Sequence, residues 1–223
     1  MTDLEIIKTP DGSSTLYSKE LNETYHTVYG AISESKHVYI ENGLKRQTKT
    51  PINILEIGLG TGMNAWLTFL ENRHINYLAI EPNLLNFEFL VNYYQSFSTF
   101  KIHTPFLKAI TSDIGKIKSI NGHFNFKILN KKIEECLENE LQNYNGSKIN
   151  FDLIYYDAFA PSKQKEIWDL NNLELMHSIM SEGAELVTYC SQGEFKRNLK
   201  KAGFKVISVN GPLLKREMTI AQK

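Results

Sequence analysis

The stretch Ile54-Leu55-Glu56-Ile57-Gly58-Leu59-Gly60-Thr61-Gly62 constrains this chain more than any other. An apolar run carrying one acid breaks into three glycines at alternate positions. It reads as a buried strand ending in a loop where a ligand meets bare backbone, the start of a nucleotide-type cofactor site.

The pattern around that loop alternates. Residues 52 to 57 are strand-like and 63 to 72 helical, 77 to 80 form a strand closed by Glu81-Pro82, and 84 to 95 are helical again. Further on, strands are predicted over 124 to 129, 151 to 156, 185 to 189 and 204 to 209. Helices are predicted over 132 to 142, ended by Asn145-Gly146, over 165 to 180, and over 194 to 202, capped by Gly203. Residues 96 to 122 are irregular, with helical pieces expected on the surface. Val38-Tyr39-Ile40 in the polar leader looks like a short strand before the Asn42-Gly43 turn. Residues 217 to 221, after the Gly211-Pro212 turn, are expected to pair antiparallel.

Strands alternating with helices imply a mostly parallel sheet covered on both faces, because each crossover returns over the sheet. The expected fold is therefore a doubly wound, Rossmann-like α/β domain over 51 to 223. It ends in an antiparallel C-terminal hairpin strand and follows a small N-terminal β extension, 1 to 50, packed on the core.

Hydrophobic content of 42% with 22% charge is that of a globular protein. No apolar run approaches the roughly 20 residues that cross a bilayer, and the amino terminus lacks a secretion signal. Cys136 and Cys190 have neither CxxC spacing nor nearby histidines, so no metal site is expected. A reduced, cytoplasmic protein with no membrane partner follows; the sequence is silent on oligomeric state, and monomer is the default expectation. Charge balances overall at 25 basic and 25 acidic residues, yet Lys196, Arg197, Lys200, Lys201, Lys205, Lys215, Arg216 and Lys223 crowd the last segment against Glu194 and Glu217. That is either a phosphate-binding face or a solvated helix face.

In doubly wound sheets ligands bind beyond the carboxyl ends of the strands. Gly58, Gly60 and Gly62 stand there, and Glu56 lies near where the amino group of an amino-acid-bearing ligand would sit. Glu81 ends the next strand and can accept both hydroxyls of a ribose; the alternative is a charge at a helix N-terminus. Tyr156-Asp157-Ala158-Phe159-Ala160-Pro161 follows a later strand of the repeat. Asp157 offers an acceptor that orients or deprotonates an amine, and Phe159 a surface on which a base can stack. The plainer alternative makes Asp157 a helix cap and Phe159 core.

Three further segments extend these motifs: the loop's continuation through Met63-Asn64, Trp168 after the Asp157 turn, and the end Gly211-Pro212-Leu213-Leu214-Lys215-Arg216-Glu217-Met218. With Tyr25-His26-Thr27, Gly30-Ala31 and Glu34-Ser35 in the leader, they resemble one family over nearly the whole chain. It is the methyltransferase that completes the 5-methylaminomethyl group on the wobble (thio)uridine of tRNA, known as MnmD alone and as the first half of bifunctional MnmC. The resemblance implies a class I methyltransferase fold using S-adenosylmethionine, with no FAD, because the flavin-dependent half of MnmC is not in this chain. It implies a donor site of Glu56, Gly58, Gly60, Thr61, Gly62, Asn64, Glu81, Ile133 and Asp157, and catalysis at Asp157 and Phe159. Substrate would be met by Tyr25, Ala158, Pro161, Lys215 and Arg216 at the anticodon loop of tRNA.

One position departs from the family. Where relatives place an acid for the adenine amino group, the chain reads Asn130-Lys131-Lys132-Ile133, and Lys132 cannot accept a hydrogen bond. Adenine is then expected on Ile133 and a backbone carbonyl, or on Asn130. Rival readings are a class I methyltransferase acting on a protein or small amine, an aminopropyl transferase, and a non-catalytic RNA-binding module on the same fold.

Overall fold

The computed structural model describes residues 3–98, 103–144 and 146–223. The leader forms a three-stranded antiparallel sheet of β1 (Leu4–Lys8), β2 (Ser14–Ser18) and β3 (Glu23–Thr24), followed by helix α1 (Ala31–Ser35). The repeat then runs β4 (Ile52–Ile57), α2 (Met63–Leu70), β5 (Ile75–Ile80), α3 (Phe87–Gln95), α4 (Thr104–Thr111), β6 (Lys118–Ile120), β7 (Phe124–Leu129) and α5 (Glu138–Gln142). A short hairpin, β8 (Asn143–Tyr144) and β9 (Ser147–Lys148), leads to β10 (Phe151–Tyr156), α6 (Leu170–Ile179), β11 (Met180–Thr188), α7 (Gly193–Lys201), β12 (Lys205–Asn210) and β13 (Glu217–Gln222).

Eight strands make the central sheet in the order β12-β13-β11-β10-β4-β5-β7-β6. The pairs β11/β10, β10/β4, β4/β5 and β5/β7 are parallel, while β13 is antiparallel to both its neighbours and β6 to β7. From β4 the chain winds outward through β5 to β7, then returns to β10 on the other side. The direction therefore switches between β4 and β10, where a crevice must open at the strand ends.

Strand period two divides the core between the faces. Ile54, Tyr77, Phe126 and Tyr155 pack beneath α2, α3, α4 and the leader; Leu55, Ile57, Leu78, Ile154 and Tyr156 pack beneath α5, α6 and α7. Leu16, Val38, Tyr39, Ile40 and Leu44 of the leader belong to the first cluster. Arg46 adds two charge-assisted hydrogen bonds to Glu185 of β11, at 2.9 and 2.6 Å.

Several elements differ from the sequence expectation. Val38-Tyr39-Ile40 is a π-helical turn over Lys36–Glu41, because the backbone and side-chain amides of Asn42 both donate to the His37 carbonyl and close a five-residue step. The stretch 96–122 is not confined to the surface, since α4 buries Phe106, Leu107 and Ile110; its residues 99–102, like Asn145 of the expected turn, lie outside the described residues. The acidic helix splits into a 3-10 turn, Ile133–Glu135, and α5, with Cys136 and Leu137 extended between them. One continuous helix would stack Glu134 on Glu138 at like charge. The next helix also breaks, at Asp169, which lets Trp168 turn back towards the Asp157 loop. Among the described residues no helix is long and apolar enough to cross a membrane.

Candidate functional site

The ends of β4, β5 and β10 open onto a cavity of about 460 Å³. Its wall gathers Gly58 and Gly60 of the glycine loop, Glu81, Ile133, the Asp157-Ala158-Phe159 turn and Tyr25. Glu56, Thr61, Gly62 and Asn64 stand behind that wall, and Pro161, Lys215 and Arg216 line a neighbouring groove of about 480 Å³.

Local chemistry explains the loop's shape. Gly58 has φ +89°, and a Cβ there would collide with the Asp157 carbonyl oxygen. The glycine thus lets the ends of β4 and β10 close against each other. Glu81 clamps the other side, accepting from the Gly60 amide at 2.9 Å and the Asn83 amide at 2.8 Å. It is not at a helix N-terminus; α3 starts later, capped by Asn86. Burial holds the Glu81 carboxyl above the ordinary carboxylate range, while the two amides pull it back.

Beneath the loop two acids, Glu56 and Asp157, share few donors. Asn64 gives its side-chain amide to Glu56 at 2.9 Å and to Asp157 at 2.7 Å, and Tyr77 donates to Glu56 at 2.8 Å. Glu56 is fully buried on the leader side of β4, so its expected contact with a ligand amino group is replaced by a supporting position. Desolvation and the nearby Asp157 charge push its carboxyl well above the usual range. Asp157 is raised too, by burial first, against lowering by His26, Tyr39 and Asn64. The Tyr39 hydroxyl lies close enough to act on that carboxyl but outside hydrogen-bond geometry.

The aromatic side of the cavity is built by the leader. Tyr25 meets Phe159 edge to face, ring centres 4.9 Å apart, and also packs over Gly60. Burial and Glu81 push its hydroxyl up to about 12. Phe159 is half-buried, and its carbonyl accepts from Trp168 Nε1 at 2.8 Å; the Ala158 carbonyl accepts from Tyr189 at 2.8 Å. Those bonds hold the turn rigid.

Two sequence expectations about cations and adenine change. Lys215 is not a free phosphate contact, because its ammonium pairs with the buried Glu34 at 2.7 Å and lies 4.2 Å above the Tyr189 ring. Arg216 is exposed, as are Arg197, Lys200, Lys201 and Lys205. Asn130 spends its amide on the Glu81 and Pro82 carbonyls, both at 2.9 Å, and does not line the cavity. Glu134 does line it, beside Lys132 and Ile133. An acid is thus present two residues after Lys132, a slip of register that sequence reading missed. His26 was quoted in the sequence without a role; it lines the cavity, is buried, and its Nδ1 has no partner.

Comparison with known proteins follows the geometry. Residues 98–223 match the family model for S-adenosyl-L-methionine-dependent methyltransferases. Curated relatives include the tRNA 5-methylaminomethyl-2-thiouridine biosynthesis bifunctional protein MnmC of Leptospira interrogans, 30% identical over 92% of this chain and 33% of its own length. The Legionella pneumophila protein of that name is 26% identical over 92% of this chain and 34% of its own. This chain therefore spans about a third of the length of those relatives. The crystal structure of MnmC2 from Aquifex aeolicus superposes with a TM-score of 0.76 at 25% identity, covering 99% of this chain and 70% of that one. On the family match and the shared α/β architecture, the chain belongs to the S-adenosyl-L-methionine-dependent methyltransferase family.

Proposed function

We propose that this protein methylates the primary amine of a 5-aminomethyl group on the wobble uridine of tRNA, thiolated or not, giving 5-methylaminomethyl-(2-thio)uridine. The observation that carries the reading is the Asp157 carboxylate, half-buried beside the glycine loop and lining one cavity with the aromatic pair Tyr25 and Phe159. A cationic alkylamine needs such an anion to enter a desolvated site, and a flat base needs such rings. The product named by the MnmC relatives carries the matching group.

The residues present fit the donor. Glu81 and Asp157 line the cavity with carboxyls raised by desolvation, and a ligand bearing a sulfonium and an ammonium relieves that penalty. Among the described residues Asn64 Oδ1 is buried without a hydrogen-bond partner behind the loop, leaving polar capacity on the side where the methionine part would lie. Each Glu81 oxygen has accepted one amide and retains a lone pair for a ribose hydroxyl. Ile133 supplies an apolar wall for adenine, and Glu134 an acceptor for its amino group. When bound, S-adenosylmethionine supplies an activated methyl group.

The protein's part is to bind, orient and exclude water. Asp157 holds the incoming ammonium, and its raised basicity makes it a better proton acceptor than a free carboxylate. Phe159, held edge to face by Tyr25, offers a ring on which the uracil plane rests so that the amine lone pair is aimed. No flavin or metal enters these steps. We read the enzyme as cytoplasmic, and residues 1–50 as an extension that completes the site with Tyr25.

Two expected results arise here. Glu81→Gln lowers donor affinity by about 30-fold in titration calorimetry, a loss of roughly 2 kcal/mol typical of charge-assisted hydrogen bonds. Donor binding also tightens as pH rises from the ordinary carboxylate range to the raised value of Glu81, then levels off. The protonated carboxyl must ionise to receive a cation, so binding releases protons, and the apparent enthalpy differs between buffers of different ionisation enthalpy. Incubation with labelled S-adenosylmethionine separates the rivals: label in tRNA supports the reading, whereas label in polyamines or protein, or donor binding without transfer, overturns it.

A further inference from the structure

Glu34 ties two loops together at the mouth of the site. Its Oε2 accepts from the Thr27 amide and its Oε1 from Lys215 Nζ, both at 2.7 Å, and its side chain is only 7% exposed. Directly after Thr27 come Val28 and Tyr29, 39% and 56% exposed; directly before Lys215 come Leu213 and Leu214, 50% and 77% exposed. Among the described residues, half of the eight exposed large hydrophobics thus sit on the two loops joined through Glu34, where random scatter would spread them.

The Leu213 turn is costly in a second way. Leu213 has φ +49°, a conformation that glycine or asparagine adopts more readily. The turn is held nonetheless, by Lys215 N to the Pro212 carbonyl at 2.9 Å and Gly211 N to the Arg216 carbonyl at 3.3 Å. It is also coupled to the catalytic side. Lys215 stacks on Tyr189, whose hydroxyl holds the Ala158 carbonyl, and the groove between them runs from Ala160 and Pro161 to Gln192 and Arg216. Arg216 lines this groove, is exposed, and makes no ion pair among the described residues.

We infer that the Leu213–Leu214 tip is an apolar wedge that fills the stack of the anticodon loop when the wobble base is withdrawn into the cavity, with Tyr29 as the opposing stacking surface. The inference rests on the reading of the preceding subsection. The occupant is single-stranded RNA on three grounds: the cations beside the tip match phosphates, the apolar residues match base faces, and a buried site cannot reach a stacked base until it is splayed out. A protein partner would meet the same cations with no use for the adjoining base-sized cavity.

The test uses the full chain and a double variant, L213S/L214S, at side chains that are 50% and 77% exposed. One measurement is kcat/KM on tRNA bearing 5-aminomethyluridine, beside that on the free 5-aminomethyluridine nucleoside, which has no stack to open. A second is the fluorescence of 2-aminopurine placed next to the wobble position, which rises on unstacking. The wedge predicts at least a tenfold loss on tRNA, less than a twofold change on the nucleoside, unchanged donor binding, and a fluorescence rise with wild type that the variant abolishes. Wild-type kinetics of the variant on tRNA, equal losses on both substrates, or no fluorescence rise with wild type overturns the wedge while leaving the methylation reading intact. Absence of methylation by the wild type on both substrates overturns the reading, and the wedge with it.

Discussion

Replacing Asp157 by Asn is expected to lower kcat about 10³-fold while donor affinity changes no more than about fivefold, because proton acceptance and ammonium binding are lost but shape is kept. The hydrogen bond from Asn64 survives, since an amide oxygen accepts where the carboxylate did. Stability is expected not to fall. The carboxyl is buried and raised by desolvation, and its charge also raises Glu56, so removing it relieves two penalties at once. A melting temperature equal to or above wild type, beside a collapsed single-turnover rate, separates this role from a structural one. Wild-type turnover in the variant would remove Asp157 from the chemistry.

The second large effect is expected at Gly58. Alanine there must adopt φ +89° and place its Cβ against the Asp157 carbonyl oxygen, so either the glycine loop or the Asp157 turn must move. Backbone strain of this kind costs about 3 kcal/mol, and the displaced turn carries the acid out of register. Chemical denaturation should show the loss of stability, and calorimetry should show donor binding reduced beyond measurement. Gly183→Ala is a fitting control: φ there is +75°, but a Cβ meets nothing within 4 Å, so strain is isolated from collision far from the site.

Much of this was legible because the signals are local. The apolar run into the glycines gave β4 and its loop, Glu81 closed the next strand at the expected end, and the Asp157 turn followed β10 beside it. Where the reading failed, partners lie far apart in sequence or two structures share one pattern. Three apolar residues at Val38-Tyr39-Ile40 satisfy a strand and a tight helical turn equally, and only the Asn42 bonds to His37 decide. Lys215 looks like a free cation until Glu34, 181 residues away, appears against it. Glu56 points beneath the loop because period two puts it on the face of Ile54, against Tyr77 and Asn64, and not towards the cavity. The partners of the Ala158 and Phe159 carbonyls are also distant: Tyr189 and Trp168 reach them from β11's end and from the break before α6.

The adenine end shows the same limit. Lys132 breaks the expected acid position, yet the 3-10 turn that follows carries Glu134 onto the cavity wall. Donor selectivity should accordingly respond to Glu134→Gln more than to Asn130→Ala, since Asn130 is spent on the Glu81 and Pro82 carbonyls.

The account stands most directly on nucleoside mass spectrometry of tRNA carrying 5-aminomethyl-(2-thio)uridine after incubation with the protein and S-adenosylmethionine. It predicts that this nucleoside disappears and that its product, heavier by one methyl group on the amine, takes its place, with no change when the donor is omitted. Persistence of the aminomethyl nucleoside while the protein demonstrably binds the donor would contradict it.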